Sequence, residues 1–556
     1  MKKFLPVGLL VLMAATNVNA QQFGFQRIYN LFQAKCVSCH SNASPGQGLD
    51  LEGSGDATQK KQQVFNNLVN VTPANAAAAA KGYKYINPGD PGRSYLFRKV
   101  AHTTFEGGYF ALGTNEGAQM PNAQTPLTNV EAELVRQWIY YGAPLNNNVE
   151  DESLITNFYN GQGIPDIAIP AAPPVGQGLQ VKLGKIFLSP GEEFEYYLKY
   201  KLDLPDTVEV TRVTLIMNEY SHHYILFKFV PGQEGSMPNG LRGVNVANVF
   251  PDETEYLLAW SNPGDIELPT GTAYTFLPNT TLDLNYHINN YSQDSILGAE
   301  AYINIYYQPK GTAQKEMRSD IIIYPPTSLL IPATNQEYTF TRADFESGSN
   351  LTYNLWSLKS HTHKYGTDYD VYVRNADGSK GEKIYEGTYD EDYTVNLGYY
   401  NWSHPPTRYF EPLYPIEAKN GLIQEAKFKN CCTSPLVTFG LTTEDEMMLY
   451  YMQYTVEETA EPNTVEENEA NYFTIMPNPF TNEAALKFYL PKGANVSYEV
   501  YDNMGRKVYT QYVGYQTQGI NTIILDANAA NMAKGVYFIR LQAGDNVISK
   551  QVMRID

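Results

Sequence analysis

Cysteine is nearly missing from this sequence, with four residues in a chain of 556. Cys36 and Cys39 fall in one motif, and Cys431 and Cys432 are neighbours. Adjacent Cα atoms sit about 3.8 Å apart, closer than the usual disulfide span. Cys431 and Cys432 therefore read as two thiols or a strained redox pair, and the chain does not rest on a disulfide framework. Histidine is sparse too, at eight residues, so any clustering of histidines is informative. Forty Lys and Arg face 59 Asp and Glu, a net charge of −19, which argues against a nucleic-acid partner. Long apolar runs are also lacking. The run from Phe4 to Ala15 is too short for a membrane span. With Lys2 and Lys3 before it and small residues at Val18 and Ala20, it reads as a secretory signal peptide, residues 1–20.

What is present points to strands and to export. Forty-four tyrosines accompany many short Val/Ile/Tyr-rich runs, the composition of a mostly β protein. The length suits three or more domains. Two stretches read as boundaries. Pro165 to Pro174 is a stiff Pro/Ala-rich linker, and residues 457–471 form an acidic, extended one.

The first chemical motif is Cys36-Val37-Ser38-Cys39-His40. Two thiols three positions apart can bond the two vinyl groups of a haem, and the adjacent imidazole is placed to bind its iron. A zinc half-site would need a second Cys/His pair nearby, and none precedes His102. Met120-Pro121 is the best candidate for the sixth iron ligand, with His102 as a weaker rival. It lies shortly before a helix announced by the capping-box spacing of Thr128 and Glu131 and continued by Leu134, Trp138 and Tyr141 at helical intervals. On these residues the stretch 21–147 resembles small class I-like cytochrome c domains. The resemblance implies a mainly α domain with His40/Met120 ligation, which transfers electrons.

Five further histidines fall in a series on strand-like segments: His222-His223, His287, and His361 with His363. A Met447-Met448 strand follows. Adjacent strand residues face opposite ways, so His222 and His223 serve one metal only if the strand bulges or twists there, or if the rings use different nitrogens. Residues at i and i+2 share a face, which suits His361 and His363. Imidazole and thioether together favour copper over calcium or magnesium.

At Ser221-His222-His223, Tyr286-His287, Ser360-His361-Thr362-His363 and Asp445-Glu446-Met447, residues 180–455 resemble the copper type II, ascorbate-dependent monooxygenases. The resemblance implies two jelly-roll-like β-sandwich halves, 179–312 and 313–456, each holding one copper across a solvent-filled cleft. His222, His223 and His287 would hold the electron-transfer copper. His361, His363 and Met447 would hold the copper that activates oxygen. Lys359 stands where the peptide-hydroxylating members have a substrate-binding arginine, and Leu449 where they have asparagine, while Tyr451 keeps an aromatic. His404 matches no ligand position and reads as loop structure.

Met476-Pro477-Asn478-Pro479-Phe480, Val500 to Arg506 and Gly535-Val536-Tyr537-Phe538 resemble the C-terminal sorting domain of type IX secretion, a small β-sandwich at 472–556.

The expected fold class is thus multidomain: a mainly α cytochrome c-like domain, a linker (148–178), two β-sandwich copper domains and a β-sandwich sorting domain. The expected function is an exported copper monooxygenase holding two copper ions and one covalent haem c. It would hydroxylate a C–H bond of an unknown small molecule or peptide with O2. Electrons would come from an external donor, ascorbate-like or a redox protein, and the type IX machinery would be a partner. The alternatives are a copper and haem electron-transfer protein without hydroxylase activity, and a non-enzymatic surface-binding protein with an electron-transfer head.

Overall fold

Strands dominate because short β-branched and aromatic runs alternate with polar residues and are separated by turns. The computed structural model describes residues 22–555 except 123, 246–249, 388–401, 403–404, 432–435, 459–472, 491, 504, 518 and 545. The expected signal peptide, most of the acidic linker, His404 and Cys432 lie outside the described residues. The described residues fall into two compact units, one up to residue 459 and one from residue 460.

In the first unit, helices come first: α1 (Phe25–Lys35), α2 (Ala57–Leu68), α3 (Ala76–Ala80), α4 (Tyr95–Val100), α5 (Asn129–Tyr140) and α6 (Glu152–Asn157). The Thr128/Glu131 capping box opens α5 as its spacing predicts. Strands follow. β1 (Gly178–Leu188), β2 (Glu193–Lys201), β3 (Val208–Met217), β4 (Ser221–Phe229), β5 (Thr254–Trp260), β6 (Thr272–Phe276), β7 (Thr281–Asn289) and β8 (Leu297–Pro309) make two sheets. One runs β6-β3-β8-β1 and the other β2-β7-β4-β5. Both give side chains to a single core, among them Leu183, Leu215, Ile303, Tyr196, Tyr286 and Leu226. β7 is buried along nearly its whole length because it is paired on both edges, to β2 and to β4.

Next come β9 (Arg318–Ile323), β10 (Glu337–Asp344), β11 (Leu351–His361), β12 (Gly366–Arg374), β13 (Lys380–Glu386), β14 (Thr407–Glu417), β15 (Leu422–Lys429) and β16 (Leu449–Glu458). They form the sheets β9-β16-β11-β14 and β10-β15-β12-β13 around a second core. In the second unit, seven strands between Phe473 and Arg554 form a three-stranded and a four-stranded sheet. They share a core that includes Leu486, Val500 and Ile539.

The expected fold class is corrected by this architecture. The chain is mostly β, 47% strand against 14% helix, in many sheets, and no helical cytochrome c-like domain is evident among the described residues. The physical reason lies in how the helices are covered. They are short, and their apolar faces do not close on one another alone: Phe187 and Ile296, from the strand-rich part, complete the core around Phe25, Leu134 and Trp138. Every residue of α5 from Ala132 to Tyr140 is buried, including Glu133, Arg136 and Gln137. The Pro/Ala-rich stretch is likewise not a free spacer. It lies along the first pair of sheets, where the Asn304 Nδ2 donates to the Ala171 carbonyl (3.0 Å) and the Gln180 Nε2 to that of Pro170 (3.1 Å).

Candidate metal centres

The Cys36–His40 motif begins where α1 ends. The amides of Cys39 and His40 donate to the Cys36 carbonyl at 3.1 and 3.0 Å. That turn sets Cys36, Cys39 and His40 along a cavity of about 580 Å³, which Met120 and Pro121 also line. The size is that of a cofactor pocket, and Phe32, Leu49, Leu51, Leu96 and Val100 make much of the wall apolar. His40 Nδ1 lies 3.2 Å from the Leu49 carbonyl. A proton donated there leaves Nε2 as the free ligand atom. Burial pushes the Cys36 thiol up to about 12. The large, mostly apolar cavity suits a covalently held haem better than a zinc ion, which needs four ligand atoms converging on one point.

Gln119 holds the Met120 loop in place. Its Nε2 donates to the Lys99 carbonyl at 2.7 Å and also reaches those of Arg98 and Ala101. His102, the rival, is not among the cavity residues, and both its ring nitrogens are engaged, by Thr104 Oγ1 at 2.9 Å and Asn129 Oδ1 at 2.7 Å. With a haem held on Cys36 and Cys39, Met120→Ala would open a coordination position, seen as carbon monoxide binding to the ferrous iron, while His102→Ala would leave the spectrum unchanged. The reverse result would exchange the two assignments.

The first histidine group is built by a bulge. His223 and His287 are direct cross-strand partners on β4 and β7, while the next pair is Ser221 with Ile288. His222 is thus the extra residue of a β-bulge, the device that lets adjacent histidines turn to one side. Ligand atoms of His222, His223 and His287 lie within 4.8 Å of one another. His223 Nε2 and His287 Nδ1 are 3.2 Å apart. Two imidazole nitrogens about 2.0 Å from one ion are separated by roughly this distance. His287 Nε2 donates to Glu193 Oε1 at 2.7 Å, which leaves Nδ1 facing His223. The buried His223 Nδ1 has no hydrogen-bond partner. Burial, then the neighbouring His287 and His222, hold His223 well below its ordinary pKa, so it is a neutral, ligand-ready imidazole. Glu193 is held low, first by its bond from His287.

The second pair is set differently from its sequence pattern. β11 ends at His361, so His363 lies in the following turn. The two rings are 5.2 Å apart and nearly perpendicular. His363 Nδ1 is 3.3 Å from the Asp445 carbonyl, which again leaves Nε2 free. Glu446 fastens this turn. Its carboxylate accepts from the backbone N–H of His363 (2.9 Å), Tyr365 (3.0 Å) and Met447 (2.9 Å). Burial pushes Glu446 up to about 8, and these bonds pull against that rise. Glu446→Ala strands three buried donors at about 1–3 kcal/mol each. It should lower the denaturation midpoint clearly, and the glutamine variant less so. An unchanged midpoint would remove Glu446 from this role.

Met447 and Met448 separate cleanly. Met448 joins the second core with Tyr450 and Met452. Met447 joins a seam with Leu449 and Tyr451, packed on Tyr197, Ile225, Phe227 and Tyr256 of the first sheets. Leu449 is the cross-strand partner of His361, and the Tyr451 ring is 6.5 Å from that of His361. Of the two methionines, Met447 is the one on the histidine side.

Across this seam the His223 and His361 rings are 6.1 Å apart. All five histidines therefore form one continuous group. The solvent-filled cleft implied by the resemblance is here a packed seam, because apolar side chains from both halves meet where the cleft would open. Lys359 bridges the same seam and donates to Ser261 Oγ at 2.8 Å. Burial pushes its pKa down to about 8. Glu193 and Trp402, whose ring is 6.2 Å from His222, were not legible in sequence, since both reach the site through long-range packing. Cys431 is exposed, and its neighbour Cys432 lies outside the described residues.

Comparison with known proteins bears mainly on the C-terminus. No curated protein matches the chain. Among solved structures, the major capsid protein P2 of bacteriophage PM2 is 11% identical over 50% of this chain and 98% of that one, with a TM-score of 0.24. PNGase F, a glycosylasparaginase from Flavobacterium meningosepticum, is 8% identical over 50% and 96%, with a TM-score of 0.25. Residues 474–555 match the family described as the secretion system C-terminal sorting domain. The chain therefore carries a type IX secretion sorting domain and is a protein exported to the cell surface or beyond.

Proposed function

We propose that this exported protein is a copper-dependent monooxygenase that hydroxylates a C–H bond with O2, its electrons supplied through a covalently attached haem. The observation that carries the reading is the five-histidine group, with His287 and His363 each turned by a hydrogen bond so that one ring nitrogen faces the site. His222, His223 and His287 would hold one copper, and His361, His363 and Met447 the other. Copper bound there would supply one-electron redox change and oxygen activation.

The chain's own groups do the rest. Glu193 keeps the His287 proton on Nε2, and the Asp445 carbonyl keeps the His363 proton on Nδ1. Glu446 holds the His363 turn against Met447. The apolar seam of Ile225, Phe227 and Leu449 excludes water from one side of the group. Cys36 and Cys39 would attach the haem, and His40 and Met120 would hold its iron. The substrate is an unidentified small molecule or peptide, and the electron donor is external.

Metal analysis tests the reading. About two coppers per haem, together with oxygen uptake that depends on an added reductant, are expected. A protein that binds no copper after reconstitution would overturn it. Copper binding with no substrate oxidation would leave the electron-transfer alternative.

A further inference from the structure

The junction between the helical segment and the first pair of sheets is built like an interior, although the sequence places a linker there. Two observations of packing come first. Phe187 of β1 and Ile296 complete the helical core, and Tyr140 of α5 lies in the core between the sheets. Each side thus fills the other's core. Between these apolar contacts sits a buried ionic group. Glu106, beside α5, meets Arg136 of α5 at 3.0 Å, Lys185 of β1 at 2.7 Å, and Lys182 of β1. Both lysines also lie 3.7 Å from Glu300 of β8. Arg136 in turn pairs with Glu133, which accepts from the Tyr159 hydroxyl at 2.9 Å. All of these charged side chains are at most 4% exposed.

Backbone contacts pin the same face. The Leu241 N–H donates to the Tyr140 carbonyl at 2.7 Å, and the Tyr140 hydroxyl accepts from the Gly184 N–H at 2.9 Å. Gly240, at φ +98°, approaches Gly142 so closely that a Cβ would sit 2.6 Å from its nitrogen. Leu241 leads into Arg242–Gly243, which pairs with Tyr196 and Tyr197 of β2. β2 is the strand that carries Glu193 to His287. The stretch from Ile164 to Ala171 is strapped to the other sheet, at β8, through Ile296, Glu300 and Asn304.

We propose that the helical segment is permanently locked onto the first pair of sheets. The haem proposed above would then pass electrons to the three-histidine site at a fixed distance, not by swinging or detaching. This rests on the haem and copper reading for its electron step, but not for the lock itself. Haem held by Cys36, Cys39, His40 and Met120 would supply single electrons, and copper held by His222, His223 and His287 would take them up one at a time, with no bond made or broken. A buried charge group suits a lock more than a sliding contact, because a shift in register would leave some of its charges buried without a partner, while the apolar contacts of Phe187, Ile296 and Tyr140 oppose detachment.

Hydrogen–deuterium exchange on the intact chain tests the lock without reference to either metal. The amides of α5 and of Ile164, bonded to the Ile296 carbonyl, are expected to exchange as slowly as those of β1 and β8. Exchange at the rate of free loops, while β1 and β8 stay protected, would overturn it. Rapid reduction of the haem in the copper-loaded protein tests the electron step. Transfer to copper should be independent of protein concentration, added salt and viscosity. A rate that falls in proportion to viscosity would overturn it. Lys182→Met and Glu106→Gln should each keep the haem spectrum yet slow transfer severalfold and speed exchange in α5. Wild-type transfer in both would also count against the lock. Slow exchange with no haem-to-copper transfer would overturn the electron step alone, and with no copper bound it would overturn the functional reading behind it.

Discussion

Met447→Ile is expected to abolish the proposed hydroxylation while leaving unchanged the haem and the three-histidine copper proposed with it. The thioether is the one soft donor proposed for the His361/His363 site, and isoleucine offers no ligand atom. The two side chains are close in volume, so the seam with Leu449, Tyr451 and Phe227 stays filled, at a cost under about 1.5 kcal/mol. A metal centre contributes several kcal/mol of transition-state stabilisation, so its loss corresponds to roughly a thousandfold fall in rate. Met448→Ile is the control. Met448 belongs to the second core, and its replacement should shift stability slightly and leave turnover alone. Turnover within a factor of about two of wild type in Met447→Ile would take Met447 out of the ligand set.

Deletion of residues 473–555 should stop export across the outer membrane almost completely. The matched region spans 474–555 and closes on its own core of Phe473, Phe488, Val500, Ile539 and Val552. Its removal takes nothing from the cores of the first unit. The truncated chain should therefore fold and accumulate inside the cell. Fractionation with immunodetection reads the outcome: nearly all signal outside for the full chain, nearly none for the truncation. Fusion of 473–555 to a soluble reporter should send it outward. Export of the truncated chain at the full-length level would show that the signal lies elsewhere.

The sequence carried the local chemistry well where one rule governs one residue. Thr128 and Glu131 sit three apart and form the capping box at the start of α5. Adjacent His222 and His223 demanded a bulge if they were to serve one site, and β4 has its register shift there. What stayed hidden depends on register between distant strands. Glu193 reaches His287 only because β2 and β7 pair antiparallel across 94 residues, and no spacing announces that. His223 meets His361 only because two sheet pairs close on an apolar seam. The fold class failed for a related reason. The polar face of α5, with Glu133, Arg136 and Gln137, has the composition of a solvated surface, yet it is buried against Glu106, Tyr159 and the Lys185 carbonyl of β1. Pro165 to Pro174 has the composition of a spacer, and only its carbonyl partners show that it is strapped down.

The different partners of His287 and His363 have an electrical consequence. A carboxylate, Glu193, stands behind His287, whereas a neutral carbonyl, that of Asp445, stands behind His363. A fixed negative charge favours the more highly charged state of a nearby ion. With copper at the three-histidine site, Glu193 would favour its cupric state. His363 also feels the carboxylates of Asp445 and Glu193, so Glu193 would act on both sites at once and tie their potentials together.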